Sequence, residues 1–398
     1  MEISLKKIIF VQDISNAKLM EFKKLIDRGA ELERMNEALH REDTQFIVIY
    51  GRRRIGKSEL IKRIVKARHK AIYFLSDTSS ETVQRVAFSK VAASVIDGFD
   101  KVIYPDWETL FRSFNNQLSE RMLVCLDEFP YLVKSCDVLP SIIQKLLNEK
   151  ILKFDLVLCG SSQQLMHGYV LNRQSPLYGL ANEIMKMQPI PAQYMSMAME
   201  CDAVQAVEEY AIWGGVPRYW ELRRDYPDKE TAIRKVLLDP QGPLIEEPQR
   251  LLRDDMRDTV QASTLLTIIG NGANKLSEIA TRAGKDGSTI SEPLSKLRDL
   301  GYVSREVPFG ESPKKSKKGI YHINDSLLRF HYQFIVPYRS ILELGRMDMV
   351  MQVVLAQLPQ FIGQCWELLC REYVSGNIID GIAYNVASRW WGKIFPPE

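Results

Sequence analysis

Residues 51 to 58 read Gly51-Arg52-Arg53-Arg54-Ile55-Gly56-Lys57-Ser58, directly behind the apolar run Gln45 to Tyr50. This fits the phosphate-binding loop pattern GxxxxGK[ST] in the strand-then-helix setting that the pattern requires. A polyphosphate needs backbone N–H groups pointing inward, and Gly51 and Gly56 let the chain turn around it with no Cβ in the way. Lys57 is expected to bring a positive charge to the β- and γ-phosphates, and the Ser58 hydroxyl to sit on Mg²⁺. The helix running from Glu59 to Arg68 is expected to aim its N-terminus at the anion. The plainer alternative is a chance match in a basic loop, and the flanking strand and helix argue against it.

The segment Met122 to Glu128 strengthens this reading. An apolar strand ending in Asp127 and Glu128 has the form in which the first acid holds Mg²⁺ and the second activates water. Taken alone it would read as an ordinary buried strand with a polar end. The interval between Lys57 and Asp127 leaves room for a further strand and two helices. A third strand, Asp155 to Cys159, ends in Gly160-Ser161-Ser162. Either serine is a candidate for sensing the γ-phosphate, and either is an equally good N-cap for Gln163 to His167.

At 398 residues and 45% apolar composition the chain can bury more than one core, and two or three domains are expected. No apolar run approaches the roughly 18 residues needed to cross a bilayer, so a cytoplasmic protein with no membrane partner is expected. Ile8 to Val11 is too short and too flanked by charge for a signal peptide. The six cysteines show no CxxC spacing and the five histidines no HExxH spacing, so neither a disulfide framework nor a zinc site is indicated. A net charge of +3 names no partner. The run Lys314, Lys315, Lys317, Lys318 reads first as a solvated loop.

Strands alternating with helices up to about residue 191 predict an α/β fold, a parallel sheet covered on both faces, with the nucleotide at the carboxyl ends of its strands. The expected organisation is an N-terminal extension over 1–21, a nucleotide-binding core over 22–191 and a helical lid over 192–258. A winged helix over 259–325 and a helical C-terminal region over 326–398 follow. In the lid, Trp213-Gly214-Gly215-Val216-Pro217 must break its helix. The alternative role for that turn, packing Trp213 and Trp220 in a core, leaves Arg218 unexplained. In the winged helix, the segment from Ser288 through Arg298 would read a DNA groove if the module binds duplex DNA. A protein contact is the competing role. The aromatics from Phe330 to Tyr338 and Phe361 to Tyr373 read as interdomain core, with a stacking platform as the alternative.

Together these pieces resemble the archaeal-type ATPase family, on the AAA+/STAND side of the P-loop ATPases. The matching residues are Leu25 to Leu32, Tyr50 to Ser58, Phe74 to Asp77, Leu126 to Tyr131, Cys159 to Ser162, Ser175 to Gly179 and Trp213 to Pro217. The resemblance implies an AAA+-like core, a lid whose Gly-Gly-Val-Pro turn, including Pro217, approaches the nucleotide, and Arg28 near the adenine side. A surface salt bridge is the plainer fate for Arg28.

Two departures stand out. Relatives place an arginine after Pro-Leu-Tyr-Gly, where this chain has Leu180, so Arg173 or Arg218 would have to stabilise charge at the γ-phosphate. Many relatives also continue past a Trp-Trp-Gly segment like Trp390 to Gly392 into the metal-binding acids of a nuclease-like domain. The matching acids are absent here, and no nuclease activity is expected. The expected activity is Mg²⁺-dependent ATP hydrolysis coupled to domain rearrangement. The alternative is a DNA-binding regulator that holds ATP with little turnover, and a protein partner or self-association is open in either case. A dead ATPase serving as a scaffold is disfavoured, because Lys57, Ser58, Asp127 and Glu128 are all intact.

Overall fold

The computed structural model describes residues 27–391. The proposed extension over 1–21, the start of the Leu25 to Leu32 match and Gly392 lie outside them. The chain divides into two compact units, whose described parts are residues 27–189 and 190–391.

The first unit is built on strands β1 (Phe46–Tyr50), β2 (Ala71–Leu75), β3 (Met122–Asp127), β4 (Phe154–Gly160) and β5 (Glu183–Lys186). All pair in parallel, in the order β2-β3-β4-β1-β5. The three inner strands are buried along nearly their whole length, whereas the edge strands β2 and β5 are not. That is why the inner strands read as continuous apolar runs: helices cover both of their faces. Helices Lys57–Lys66, Glu81–Ala92, Trp107–Gln117 and Leu139–Asn148 supply the cover. Phe88 sits at the hub of one apolar layer, edge-on to Phe74, Trp107, Phe111 and Phe114. Removing its ring would cost about 3–5 kcal/mol. At the amino edge of the sheet, Asp155 accepts from the Gln45 N–H and from Arg121, which fixes where β4 starts beside β1.

A consequence for function follows from this order. In a parallel sheet every carboxyl end lies on one edge. The residues that follow β1, β3 and β4 therefore share that edge, and β4 stands between the other two strands.

In the second unit, helix Ala203–Trp213 stops at Gly214, whose φ of 61° ends it, and helix Pro217–Arg224 begins at the proline. Trp213 donates to Glu209 and Trp220 to the Gly214 carbonyl, and both rings are buried, as the packing alternative for this turn expects. Helices Thr259–Gly270, Leu276–Ala283 and Gly287–Asp299 precede an antiparallel pair, β6 (Val303–Glu306) with β7 (Ile320–Ile323). Phe330, Phe334 and Phe361 pack together.

The expectation of an all-helical C-terminal region holds only to Val374, where the long helix from Met347 ends. Beyond it, β8 (Ile378–Ile379) and β9 (Ile382–Ala383) form a small hairpin. Its two-residue turn is Asp380-Gly381, both at positive φ, the backbone that favours Asp-Gly between paired strands. No helix among the described residues is long and apolar enough to cross a membrane.

Candidate functional site

The loop after β1 owes its shape to positions with unusual backbone. Gly51 has φ 149°, and a Cβ there would lie 2.5 Å from the Met187 carbonyl oxygen and 2.9 Å from Ile55 Cδ1. Conformation and space both require glycine at this position. Gly56, at φ 95°, has open space around it and is required by conformation alone, as the residue that caps helix 57–66. Arg54 takes a left-handed backbone, φ 67°, without that freedom, a strain of order 1–2 kcal/mol. Ile55 is fully buried and pins the loop to the core. Lys57 is buried, and its Nζ donates to the carbonyls of Gly51 and Arg52, each at 2.9 Å. Arg52 is buried, Arg54 and Ser58 are half-buried, and Arg53 and Glu59 are exposed.

Arg28 is not on the surface. It is 4% exposed, pairs with Glu31 at 2.9 Å, and donates from Nη2 to the carbonyls of Ile55 and Gln188, also at 2.9 Å. Its guanidinium is therefore bonded to the back of the loop and to the segment after β5. The Met187 N–H donates to Tyr50, so that segment is tied to β1 as well.

Across β4, Asp127 is fully buried at the end of β3. Its Oδ1 accepts from the Glu128 N–H at 2.9 Å and its Oδ2 from the Tyr73 hydroxyl at 2.6 Å. Burial, and then the neighbouring Asp127 carboxylate, push the Tyr73 phenol well above its ordinary range, so it stays a donor at any physiological pH. The Cys159 thiol, wholly buried beside Asp127, is pushed up by the same two causes.

Glu128 takes a left-handed backbone, φ 54°, where strand gives way to helix Phe129–Ser135. Its Oε2 accepts from the Ser161 hydroxyl at 3.0 Å. Ser162 instead caps helix Gln163–Met166, accepting from the Leu165 N–H. Of the two serines, Ser162 is thus the cap and Ser161 faces the acid.

The remaining candidates lie on other elements. Arg173 is exposed after the helical turn that ends at Leu171. Pro217 and Arg218 belong to the second unit, where Pro217 opens its helix and Arg218 is exposed and pairs with Glu221 at 2.8 Å. Sequence reasoning missed Tyr73 altogether. The available signal was a hydroxylated aromatic in the middle of a strand preceding an Asp-Glu strand, and it becomes meaningful only once β2 is known to lie beside β3.

A parallel sheet with β4 inserted between the glycine-loop strand and the acid-tipped strand gives the fold of a P-loop NTPase, AAA+-like in its strand order. The fold is similar to that of the ORC2 protein of Aeropyrum pernix, solved as ADPNP–ADP complexes, with a TM-score of 0.52 at 12% identity over 84% of this chain and 96% of that one. At that identity the likeness shows the fold alone. A second structure, the ORC1 protein of the same organism in complex with DNA, matches at a TM-score of 0.40 and 17% identity, over 81% of this chain and 97% of that one.

Residues 25–221 match a family described as an ATPase domain predominantly from Archaea, and residues 331–394 one described as archaeal and bacterial proteins of unknown function. An uncharacterized protein of Methanocaldococcus jannaschii is 30% identical over 378 residues, 92% of this chain and 82% of its own length. The chain belongs to the archaeal-type P-loop ATPase family.

Proposed function

We propose that the chain binds ATP with Mg²⁺ at the carboxyl edge of the first unit's sheet and hydrolyses it, using nucleotide state to switch the arrangement of its domains in the manner of STAND-type ATPases. The observation that carries this reading is the convergence on that edge of the glycine loop with Lys57, the Asp127-Glu128 pair and Ser161. In this reading the backbone N–H groups of residues 51–56 cradle the β- and γ-phosphates. Lys57 exchanges its two carbonyl acceptors for phosphate oxygens, and Arg28 holds the loop from behind. Arg52, Arg53, Arg54 and Glu59 complete the rim of the nucleotide site.

The donor set fits Mg²⁺. Among the described residues no group of three or more His, Cys, Asp or Glu side chains gathers to hold a metal. Mg²⁺ needs none, since it takes one or two hard protein oxygens and draws the rest from phosphate and water. Ser58 and Asp127 are those oxygens here. When bound, the ion neutralises charge on the phosphates.

Glu128 accepts the proton of the attacking water, and its bond to Ser161 holds the carboxylate at the end of β4, where Ser161 also senses the γ-phosphate. With Leu180 in place of the arginine of relatives, charge stabilisation falls to Arg173, to Arg218 with the Pro217 turn as lid, or to an arginine from a protein partner or second copy. The expected result is Mg²⁺-dependent ATP binding at equilibrium by the native chain and binding weaker by roughly 100-fold or more by Lys57→Ala. Equal binding by both would remove the loop from the mechanism.

A second reading, an ATP-liganded regulator acting on duplex DNA, is favoured by the three helices and antiparallel pair over 259–323, the element order of a winged helix. Its third helix buries Ile290, Leu294 and Leu297 and leaves Ser288, Ser291 and Arg298 exposed, while Lys314, Lys315 and Lys317 are exposed between β6 and β7. DNA affinity that falls steeply with salt supports this reading, and absent or salt-insensitive binding contradicts it.

A further inference from the structure

We propose that the loop joining β6 to β7, residues 307–319, grips the phosphate backbone of duplex DNA through Lys314, Lys315 and Lys317, without regard to base sequence. The third helix of the same module would then add little to affinity. This rests on the reading of residues 259–323 as a DNA-acting module, and it names the part that makes the contact.

The basic residues of this loop divide by what holds them. From Pro308 to Lys318 four lysines stand against one acid, Glu311, a net charge of +3. Arg305, on β6, donates to the carbonyls of Pro313 at 2.7 Å and Ser316 at 2.6 Å, which folds the loop back on its own strand. A Cβ on Gly319 would run into that guanidinium, so glycine is required where the loop returns to β7. Lys318 pairs with Glu311 at 2.6 Å, and Glu311 also accepts from the Ser316 hydroxyl at 2.5 Å. At the base, the Phe309 N–H donates to the Arg389 carbonyl at 2.8 Å and Glu306 pairs with Arg371 at 3.1 Å. Lys314, Lys315 and Lys317 are exposed, and none has an ion-pair partner among the described residues. The loop therefore keeps its shape without them, and their charge is available to an outside polyanion at a small ordering cost.

The third helix, Gly287–Asp299, lacks such a surplus. Glu292 and Asp299 offset Lys296 and Arg298, and Arg298 is bonded to Ser295 at 3.0 Å and lies 3.7 Å from Asp299. Its remaining exposed side chains are Ser288, Thr289 and Ser291, and Ser291 donates to the Gly287 carbonyl at 2.6 Å. Lysines are point charges suited to phosphates, and phosphate contacts hold a duplex without reading it. Each contact adds about 0.9 to the steepness of log affinity against log salt, so the three together are expected to supply roughly 2.7 of it. Duplex DNA is the polyanion this arrangement favours, because the helix before the hairpin is of a size that the major groove admits.

The test is fluorescence-anisotropy binding of the full chain to two duplexes of unrelated sequence across about 50–200 mM KCl. Two combined variants are compared with it: Lys314→Ala, Lys315→Ala and Lys317→Ala in the loop, and Ser288→Ala, Ser291→Ala and Arg298→Ala in the third helix. Lys314→Arg, Lys315→Arg and Lys317→Arg together keep the charge and control for folding, and phosphatidylserine vesicles are the competing probe. The proposal expects the native chain to bind both duplexes within about 3-fold of each other. The loop alanines should lower the steepness by roughly 2.7 and weaken binding by about 10-fold or more at the lowest salt, and the arginines should restore both. The helix variant should change affinity by less than about 3-fold. Unchanged steepness with the loop alanines, failure of the arginines to restore it, or binding of one duplex only that is lost in the helix variant overturns the loop's role while leaving the DNA reading intact. A native chain that binds neither duplex, whether or not it binds vesicles, overturns both and leaves the ATP–Mg²⁺ reading untouched.

Discussion

Each unit holds a tyrosine–aspartate pair at the same separation. Tyr73 meets Asp127 at 2.6 Å in the first, and Tyr302 meets Asp255 at 2.6 Å in the second. The bond is the same and the company differs. Tyr302 lies in an apolar cluster with Leu251, Leu252, Leu265 and Leu297, so its bond satisfies a carboxylate at the end of a helix inside a core. Asp127 instead stands at a strand end beside Glu128 and Tyr73. A Tyr–Asp pair is therefore no mark of a site by itself. The first pair differs in its place, at the sheet edge that also carries the glycine loop and Glu128.

Substitutions that separate the two pairs test this contrast. The largest effect is expected at the charged edge. Lys57→Ala should weaken ATP binding by roughly 100-fold or more, about 3 kcal/mol, in a direct titration. Gly51→Ala comes next, since a Cβ at φ 149° would meet the Met187 carbonyl at 2.5 Å. It should lower stability by about 1–3 kcal/mol in urea unfolding and weaken ATP binding with it. Asp255→Ala leaves Tyr302 without this acceptor and should cost about 1–3 kcal/mol of stability. ATP affinity should be unchanged in that variant, and a parallel loss of binding would dissolve the contrast. The smallest effect is expected at Arg218→Ala, where an exposed pair with Glu221 contributes roughly 0–1 kcal/mol. A large drop in turnover with stability intact would then place Arg218 at the phosphates.

Legibility in the sequence followed the same divide. The glycine loop, the two acids and the serine pair are short contiguous motifs, so the residues of the candidate site and the α/β class could be read from their order. Relations across strands could not. That Tyr73 reaches Asp127, that Ser161 reaches Glu128, and that Arg28 is buried against Ile55 and Gln188 all depend on strand order and on the path of the chain after β5. The hairpin at Asp380-Gly381 had a local signal, Ile-Asp-Gly-Ile, but its strands are two residues each and too short to show a period.

The most direct test of the central claim is phosphate release from ATP with Mg²⁺, measured for the native chain and for Glu128→Gln. The account predicts turnover by the native chain and a fall of roughly 100-fold or more in the variant, the usual worth of a general base, with ATP still bound. Equal turnover by the two would contradict it.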